Sequence, residues 1–238
     1  AWDINGVNFD NAHTYDAEYL SSIFGPQYKN DLQDIFSTYY LLGFQRKPEA
    51  MGWGPEWNYG NGVAQLLNTD FSFINYNEAE KRMKEYDRIA AKSEKLMNAL
   101  PDSYKAAFFE MVFYPVKGAC LMNKKMLTAQ QNRWYAKQGR ASTQYYANLA
   151  RSYHDSIGIY TRQFNEMLDG KWNKMMSLAP GWTATYQKMP PIDSVQVTLG
   201  SRMHIFLPGQ DIEYATGILN VLPCLNPYTK KNTFIELY

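Results

Sequence analysis

The 238-residue sequence predicts a mainly α protein built as an antiparallel helical bundle, with β-structure only toward its C-terminal end. Three observations predict it. Long stretches between residues 77 and 168 carry apolar side chains at helical spacing and are joined by short turns. Pro101-Asp102 and Gly170 mark turns or ends of those stretches. Past Pro180 the pattern changes to alternation, with Val195-Gln196-Val197-Thr198-Leu199 and Thr233-Phe234-Ile235-Glu236-Leu237 reading as strands. Two or three strands cannot bury a sheet face alone, so this end reads as the start of a β-domain.

Each helix has its own signals. One starts near Asp16 and stops at Gly25. A second runs from about Gln27 to Gln45, with Leu32, Ile35, Phe36, Tyr39, Tyr40 and Phe44 at helical spacing. The third begins at Asn77, an N-cap residue type followed by Glu78 and Glu80 in the first turn. Met83, Tyr86, Ile89, Ala90, Ser93, Leu96, Met97 and Leu100 mark its inner face. Glu78 with Arg82 and Glu80 with Lys84 form i,i+4 pairs assigned to the outer face. Pro101-Asp102 makes the next turn. The following helix spans about Ser103 to Lys137, and Pro115 with Gly118 should kink or divide it. The last runs from the N-cap Ser142 to Leu168 and ends at Gly170. Met83, Met97, Met111, Met122 and Met126 read as core filler. No internal repeat is present, which argues against a solenoid.

Composition narrows the function classes. Hydrophobic residues make up 45% and charged residues 20%, which is globular usage and excludes a disordered chain. No stretch approaches about 18 uninterrupted apolar residues, so no membrane span is predicted. A net charge of +1 argues against nucleic acid as the main partner. The charge is uneven: residues 1 to 76 carry net −6 and residues 77 to 138 net +5. That asymmetry is surface patterning, attraction for an anionic ligand, or complementarity between the two segments. Cys120 and Cys224 form no Cys-x-x-Cys unit. They could pair, but Cys120 lies inside an apolar helical pattern and reads as a buried thiol behaving as a small hydrophobe. The chain opens at Ala1 without an initiator Met or a signal peptide, which reads as a processed or excised piece.

Chemistry has few anchors in this sequence. His13, His154 and His204 are scattered, and no zinc spacing, nucleophile elbow or phosphate loop occurs, so no metal and no cofactor are predicted. The informative segment is residues 47 to 62, where four Gly, two Pro and three large aromatics fall within sixteen positions. Loops of this kind often carry function. Trp53, Glu56, Trp57, Asn58 and Tyr59, together with Asn61, combine aromatic faces that stack on sugar rings with groups that bond hydroxyls. The alternative is that Trp53 and Trp57 plug the end of the bundle as a hydrophobic lid. A glycosidase would need two carboxylates across one sugar bond. Asp3, at a possible strand end, and Glu56 are the candidates.

Several stretches resemble glycoside hydrolase family 115, the α-glucuronidases. The most specific runs from Ala106-Ala107-Phe108-Phe109-Glu110-Met111-Val112-Phe113-Tyr114-Pro115-Val116-Lys117-Gly118-Ala119 into Met122-Asn123-Lys124-Lys125 and Ala129-Gln130-Gln131-Asn132-Arg133. Leu42-Gly43-Phe44-Gln45-Arg46-Lys47-Pro48-Glu49, Gly170-Lys171-Trp172-Asn173-Lys174-Met175-Met176 and Met189-Pro190-Pro191 extend the resemblance along the chain. Ser201 to Gly217 departs from the pattern.

The resemblance implies a plan. Residues 1–46 would end a catalytic (β/α)8 barrel, 47–190 would form the helical bundle, and 191–238 would be a linker opening a C-terminal β-sandwich. It also implies an inverting glycoside hydrolase that removes (4-O-methyl-)glucuronic acid side chains from glucuronoxylan, in xylan degradation. Inversion needs an acid and a base about 6.5–9.5 Å apart. The family's catalytic carboxylates would precede Ala1, so none is carried onto this chain, and the fragment alone is expected to be inactive. Expected partners are xylan or glucuronoxylan oligosaccharide, the rest of the parent chain, and a second copy through the bundle. The expected location is secreted or periplasmic. A non-catalytic helical glycan-binding protein is the alternative, and a purely structural interaction bundle is a third reading.

Overall fold

The computed structural model describes residues 14–52, 66, 68–176 and 188–196. Three quarters of these are helical, and none is in a strand. The helices are α1 (Tyr15–Phe24), α2 (Lys29–Gln45), α3 (Glu78–Ala99), α4 (Asp102–Phe108), α5 (Tyr114–Lys137) and α6 (Thr143–Gly170). The mainly helical fold class therefore stands. Val195 and Gln196, expected to open a strand, have no regular structure, and the other strand residues lie outside the described ones.

The chain forms two compact units. The first takes residues 1–48, 83–120 and 157–177; the second takes 49–82, 121–156 and 178–238. Segments of α3, α5 and α6 contribute to each.

In the first unit the sequence periodicity is realised as apolar burial. Ala17, Leu20, Ser21 and Phe24 recur at i, i+3, i+4 and i+7 along α1 and are buried. Gly25 ends that helix at φ 130°, donating its N–H to the Ser21 carbonyl at 2.9 Å. An L side chain rarely adopts that φ, which is why glycine stands there. The core joins Leu32, Ile35 and Phe36 of α2, Tyr86, Ile89, Ala90 and Leu96 of α3, and Phe108, Val112, Phe113 and Val116 farther along. Tyr40 and Phe44 of α2 share that helical spacing, yet both are exposed, Phe44 to 90%. Leu42 takes a core place beside the stripe instead.

Charge complementarity is realised here too. Lys92 of α3 lies 2.7 Å from Asp34 and 3.2 Å from Asp31, and Arg88 lies 2.5 Å from Asp34. Basic side chains of the positive segment thus meet acidic ones of the negative segment.

The α-helix is divided ahead of Pro115, into α4 and α5, as the sequence leads one to expect. A π turn over Phe109–Phe113 joins α4 to α5, so the chain is helical from 102 to 137. The Tyr114 N–H reaches back five residues to the Phe109 carbonyl. Proline has no N–H and its ring crowds the carbonyl four residues earlier. Widening the preceding turn by one residue accommodates both. Gly118 has open space around an added Cβ, so no close contact requires glycine there.

Two N-terminal expectations for α3 are corrected. Asn77 precedes the helix with φ 51°, and its buried Oδ1 has no partner among the described residues. The first-turn donors are met otherwise: Ala79 N–H by the Ser72 carbonyl at 3.0 Å and Glu78 N–H by the Asn75 carbonyl. The Glu78 carboxylate accepts the Ser72 N–H at 3.0 Å, which ties the loop to the helix start. Arg82 is buried rather than on an outer face.

The helical pattern of α6 begins after Ser142 as expected and runs regularly to Glu166. Met167 is then extended, and Leu168, Asp169 and Gly170 are left-handed. Asn165 closes the turn that follows, accepting the Met176 N–H at 3.1 Å and donating to its carbonyl at 2.5 Å. Cys120 is buried, with its thiol 3.6 Å from Asp87 Oδ1. Cys224 lies outside the described residues.

Candidate functional site

Trp53, Glu56, Trp57, Asn58, Tyr59 and Asn61 all fall in 53–65, outside the described residues, as does Asp3. The structure neither assembles that site nor disperses it. His13 and His204 also lie outside. His154 is half-buried, and burial holds its pKa below the usual histidine value, helped by Lys125 and opposed by Asp155.

What the described residues bring together is a polar cluster in the second unit, built around the later part of α5. Leu121, Asn123, Lys125, Met126, Leu127, Thr128, Ala129, Gln131, Asn132 and Tyr135 are all buried. Polar and apolar residues alternate irregularly, so this stretch has no single wet face. A helix buried on several sides must satisfy each polar side chain inside the protein.

It does so by lashing two non-helical segments to itself. Toward residues 68–75, Gln130 Oε1 accepts the Thr69 N–H at 2.7 Å and the Thr69 hydroxyl at 2.8 Å. Its Nε2 donates to the Phe71 carbonyl at 3.1 Å. Arg133 adds two bonds to Asn68 Oδ1, from Nε at 3.0 Å and Nη2 at 2.5 Å. Toward residues 188–196, Lys125 Nζ donates to the Lys188 carbonyl at 3.3 Å, and Arg133 Nη1 donates to the Pro191 carbonyl. Asn132 accepts the Asp193 N–H at 2.8 Å and donates to the Asp193 carbonyl at 3.1 Å.

The buried cations are stabilised in kind. Arg82 Nε donates to Asn123 Oδ1 at 2.7 Å, and its guanidinium lies 4.5 Å from the Phe71 ring centre. Arg140 lies 4.1 Å over the Tyr135 ring. Burial lowers the Lys125 pKa to about 8 and holds Arg133 below its usual value, the latter opposed by Asp193.

Chemically this is a lattice of donors facing carbonyl and amide oxygens. It braces the fold, and its fully buried Lys125 is closed to a polysaccharide. No group of three or more His, Cys, Asp or Glu able to hold a metal ion occurs among the described residues. No described helix is long and apolar enough to cross a membrane. A shallow depression lined by Ile159, Arg162, Gln163, Glu166 and Met167 draws its walls from α6 alone. The sequence signal for the polar lattice was present in Asn123, Lys125, Asn132 and Arg133, which carry part of the family resemblance. Their local pattern named no partners.

No family model matches the sequence, and no curated protein matches it. Solved structures do. The fold, mainly helical over the described residues, is similar to part of a solved glycoside hydrolase. The structure it follows is a family GH115 4-O-methyl-α-glucuronidase with specificity for decorated arabinogalactans, matched with a TM-score of 0.63 and 24% sequence identity. The match covers 84% of this chain and 26% of that chain, so the sequence spans about a quarter of the length of the enzyme it resembles. At that identity the likeness is one of fold. It agrees with the family resemblance carried by the sequence motifs.

Proposed function

We propose that this chain is the helical part of a glycoside hydrolase of the α-glucuronidase type, whose parent enzyme removes glucuronic acid or its 4-O-methyl ether from a decorated plant glycan by inversion. The fold likeness carries this reading, since it extends over 84% of the chain. In this reading 1–46 complete a catalytic barrel, 47–190 form the supporting bundle and 191–238 lead into a β-sandwich. The acid and base of inversion belong to barrel segments outside the 238 residues. The aromatic loop, with Trp53, Glu56, Trp57, Asn58 and Tyr59, contacts the sugar chain. Glucuronoxylan is the substrate proposed from the sequence motifs, and the similar enzyme adds decorated arabinogalactan as a second polymer to test. Secretion or periplasmic location, and a homodimer through the bundle, complete the proposal.

The test is uronic acid release from both polymers by the 238-residue chain and by the full parent enzyme, with binding read in the same incubation. Release by the parent and none by the chain supports the reading. Release by the chain alone would overturn it and make Asp3 and Glu56 the carboxylates to replace. Binding without release by the parent would favour a non-catalytic glycan-binding protein. Loss of binding in Trp53→Ala or Trp57→Ala supports the sugar contact, whereas unchanged binding assigns those rings to a lid.

A further inference from the structure

We propose that the outer faces of α1 and α2 are the seam at which this chain is seated against the rest of the parent enzyme, the segments outside the 238 residues. This rests on the reading of the chain as part of a longer glycoside hydrolase. Tyr15, Tyr19, Tyr40, Leu41 and Phe44 make up the surface, and each is about half exposed or more.

The sequence of α2 carries the argument. Tyr39-Tyr40-Leu41-Leu42-Gly43-Phe44 is a run of six residues without a charge, longer than one helical turn. Its apolar groups therefore point all round the axis. Leu42 takes the core side and is buried. Leu41 and Phe44, three apart and so neighbours on the helix surface, are 58% and 90% exposed. A surface helix keeps polar groups on its outer side, whereas a helix apolar all round is buried all round. The first half of α2 obeys the surface rule. Gln33 and Ser37 stand in the same row as Leu41, and Gln33 donates to the Ser37 hydroxyl at 2.7 Å. The row turns apolar only at Leu41.

Helix α1 continues the surface. Tyr15 and Tyr19 lie on the side away from Ala17, Leu20 and Phe24, with parallel rings 6.4 Å apart. The Tyr40 hydroxyl bonds Asp16, the neighbour of Tyr15, so the two outer faces adjoin. The inner faces are already occupied, since both helices share one core with Tyr86, Ile89 and Phe108. The occupant follows from length. The match covers 26% of the similar enzyme, which leaves about three quarters of that chain without a counterpart here. A sugar chain would need partners for its hydroxyls, which Leu41 and Phe44 lack. Helices α1 and α2 are then a wall shared by the bundle core and the remaining parent segments, not the end of a barrel alone.

Hydroxyl-radical footprinting of the 238-residue chain and of the full parent enzyme tests this, with uronic acid release measured on the same parent sample. Leu41 and Phe44 should be oxidised in the 238-residue chain and lose that oxidation in the parent, while buried Leu32 stays unlabelled in both. Oxidation retained in the dilute parent overturns the seam. If the 238-residue chain is then protected as its concentration rises, the face belongs to a second copy. If the parent is protected only when xylan oligosaccharide is added, the face belongs to substrate. Phe44→Asp gives a second readout: no shift in the thermal midpoint of the 238-residue chain and a lowered midpoint in the parent. Equal shifts in both, or none in either, overturn the seam. A parent that releases uronic acid with Leu41 and Phe44 still oxidised keeps the activity reading and overturns this one, and protection without release does the reverse.

Discussion

The cores of the two units are built on different principles. In the first, the buried polar residues among the described ones are Ser21 and Ser93, and each hydroxyl returns to a carbonyl of its own helix, at 3.1 and 2.8 Å. Everything else in that core is aliphatic, aromatic or thiol, with rings meeting edge to face, as Phe24 and Phe108 do at 5.0 Å. In the second unit Arg82, Asn123, Lys125, Thr128, Gln131, Asn132, Gln138, Arg140 and Thr143 are all buried. There the binding groups are charged and amide side chains that reach segments far along the chain. Apolar packing tolerates repacking and specifies position loosely. A donor–acceptor lattice accepts one arrangement, since any slip leaves buried groups unmet. The second unit contains residues 188–196, a segment without regular structure or helical bonds of its own, so specific bonds from elsewhere must fix it.

The contrast can be broken by substitution. The largest effect is expected from Phe113→Ala in the first unit. The ring is 1% exposed, and the cavity should cost about 3–5 kcal/mol, read as a lowered midpoint in urea. An effect below about 1 kcal/mol would mean that this core is not close-packed.

Lys125→Met tests the second unit through pH. The folded pKa is lowered to about 8 from the ordinary lysine value of 10.5, so between those values the unfolded chain binds more protons than the folded one. Stability should therefore rise from about pH 8 to about pH 10.5, by an amount on the order of 3 kcal/mol. Over that range the original protein should gain stability relative to Lys125→Met by that amount. A pH-independent difference would show that Lys125 does not titrate there.

Gly139→Ala addresses the turn between α5 and α6. Gly139 has φ 71° and donates to the Ala136 carbonyl at 3.0 Å, while Arg140 N–H reaches the Tyr135 carbonyl at 3.1 Å. This pair of bonds is a Schellman cap, and a Cβ at the left-handed position should cost about 1 kcal/mol. Calorimetry would show a modest fall in Tm.

The smallest effect belongs to the half-exposed network on α2 and α3. The Arg88 hydrogen bond, with Lys92 beside it, holds the Asp34 carboxyl below the usual range, against the opposing effect of burial. A depressed carboxyl contributes stability above its ordinary pKa and loses it as pH falls through the folded value. Solvent screening limits Asp34→Asn to about 0.5 kcal/mol near neutral pH, and less in high salt. An effect as large as that of Phe113→Ala would show that the network, not the apolar core, dominates the first unit.

Legibility in the sequence followed the same division. Tyr86, Ile89, Ala90, Ser93, Leu96 and Leu100 were readable as one face because helical periodicity is local, and they are buried. Gly25 and Ser142 marked helix ends for the same reason. Arg82 was misplaced because its i,i+4 partner is visible in sequence, whereas Phe71 and Asn123 are found only in space. Pro115 announced a disturbance, but only the surrounding packing could choose a π turn over a break. The aromatic loop named as a sugar contact lies outside the described residues, so its reading still rests on sequence.

By itself the sequence determined the number and approximate span of the main helices, the apolar character of the first core and the likeness to one enzyme family. Those properties depend on neighbours within one or two helical turns, or on motifs read directly. Tertiary structure decided which polar residues of α5 are buried and which carbonyls they hold. Gln130 and Thr69 are 61 positions apart, as are Asn132 and Asp193. Bonds across that separation depend on how the chain returns upon itself, and no local pattern encodes that return.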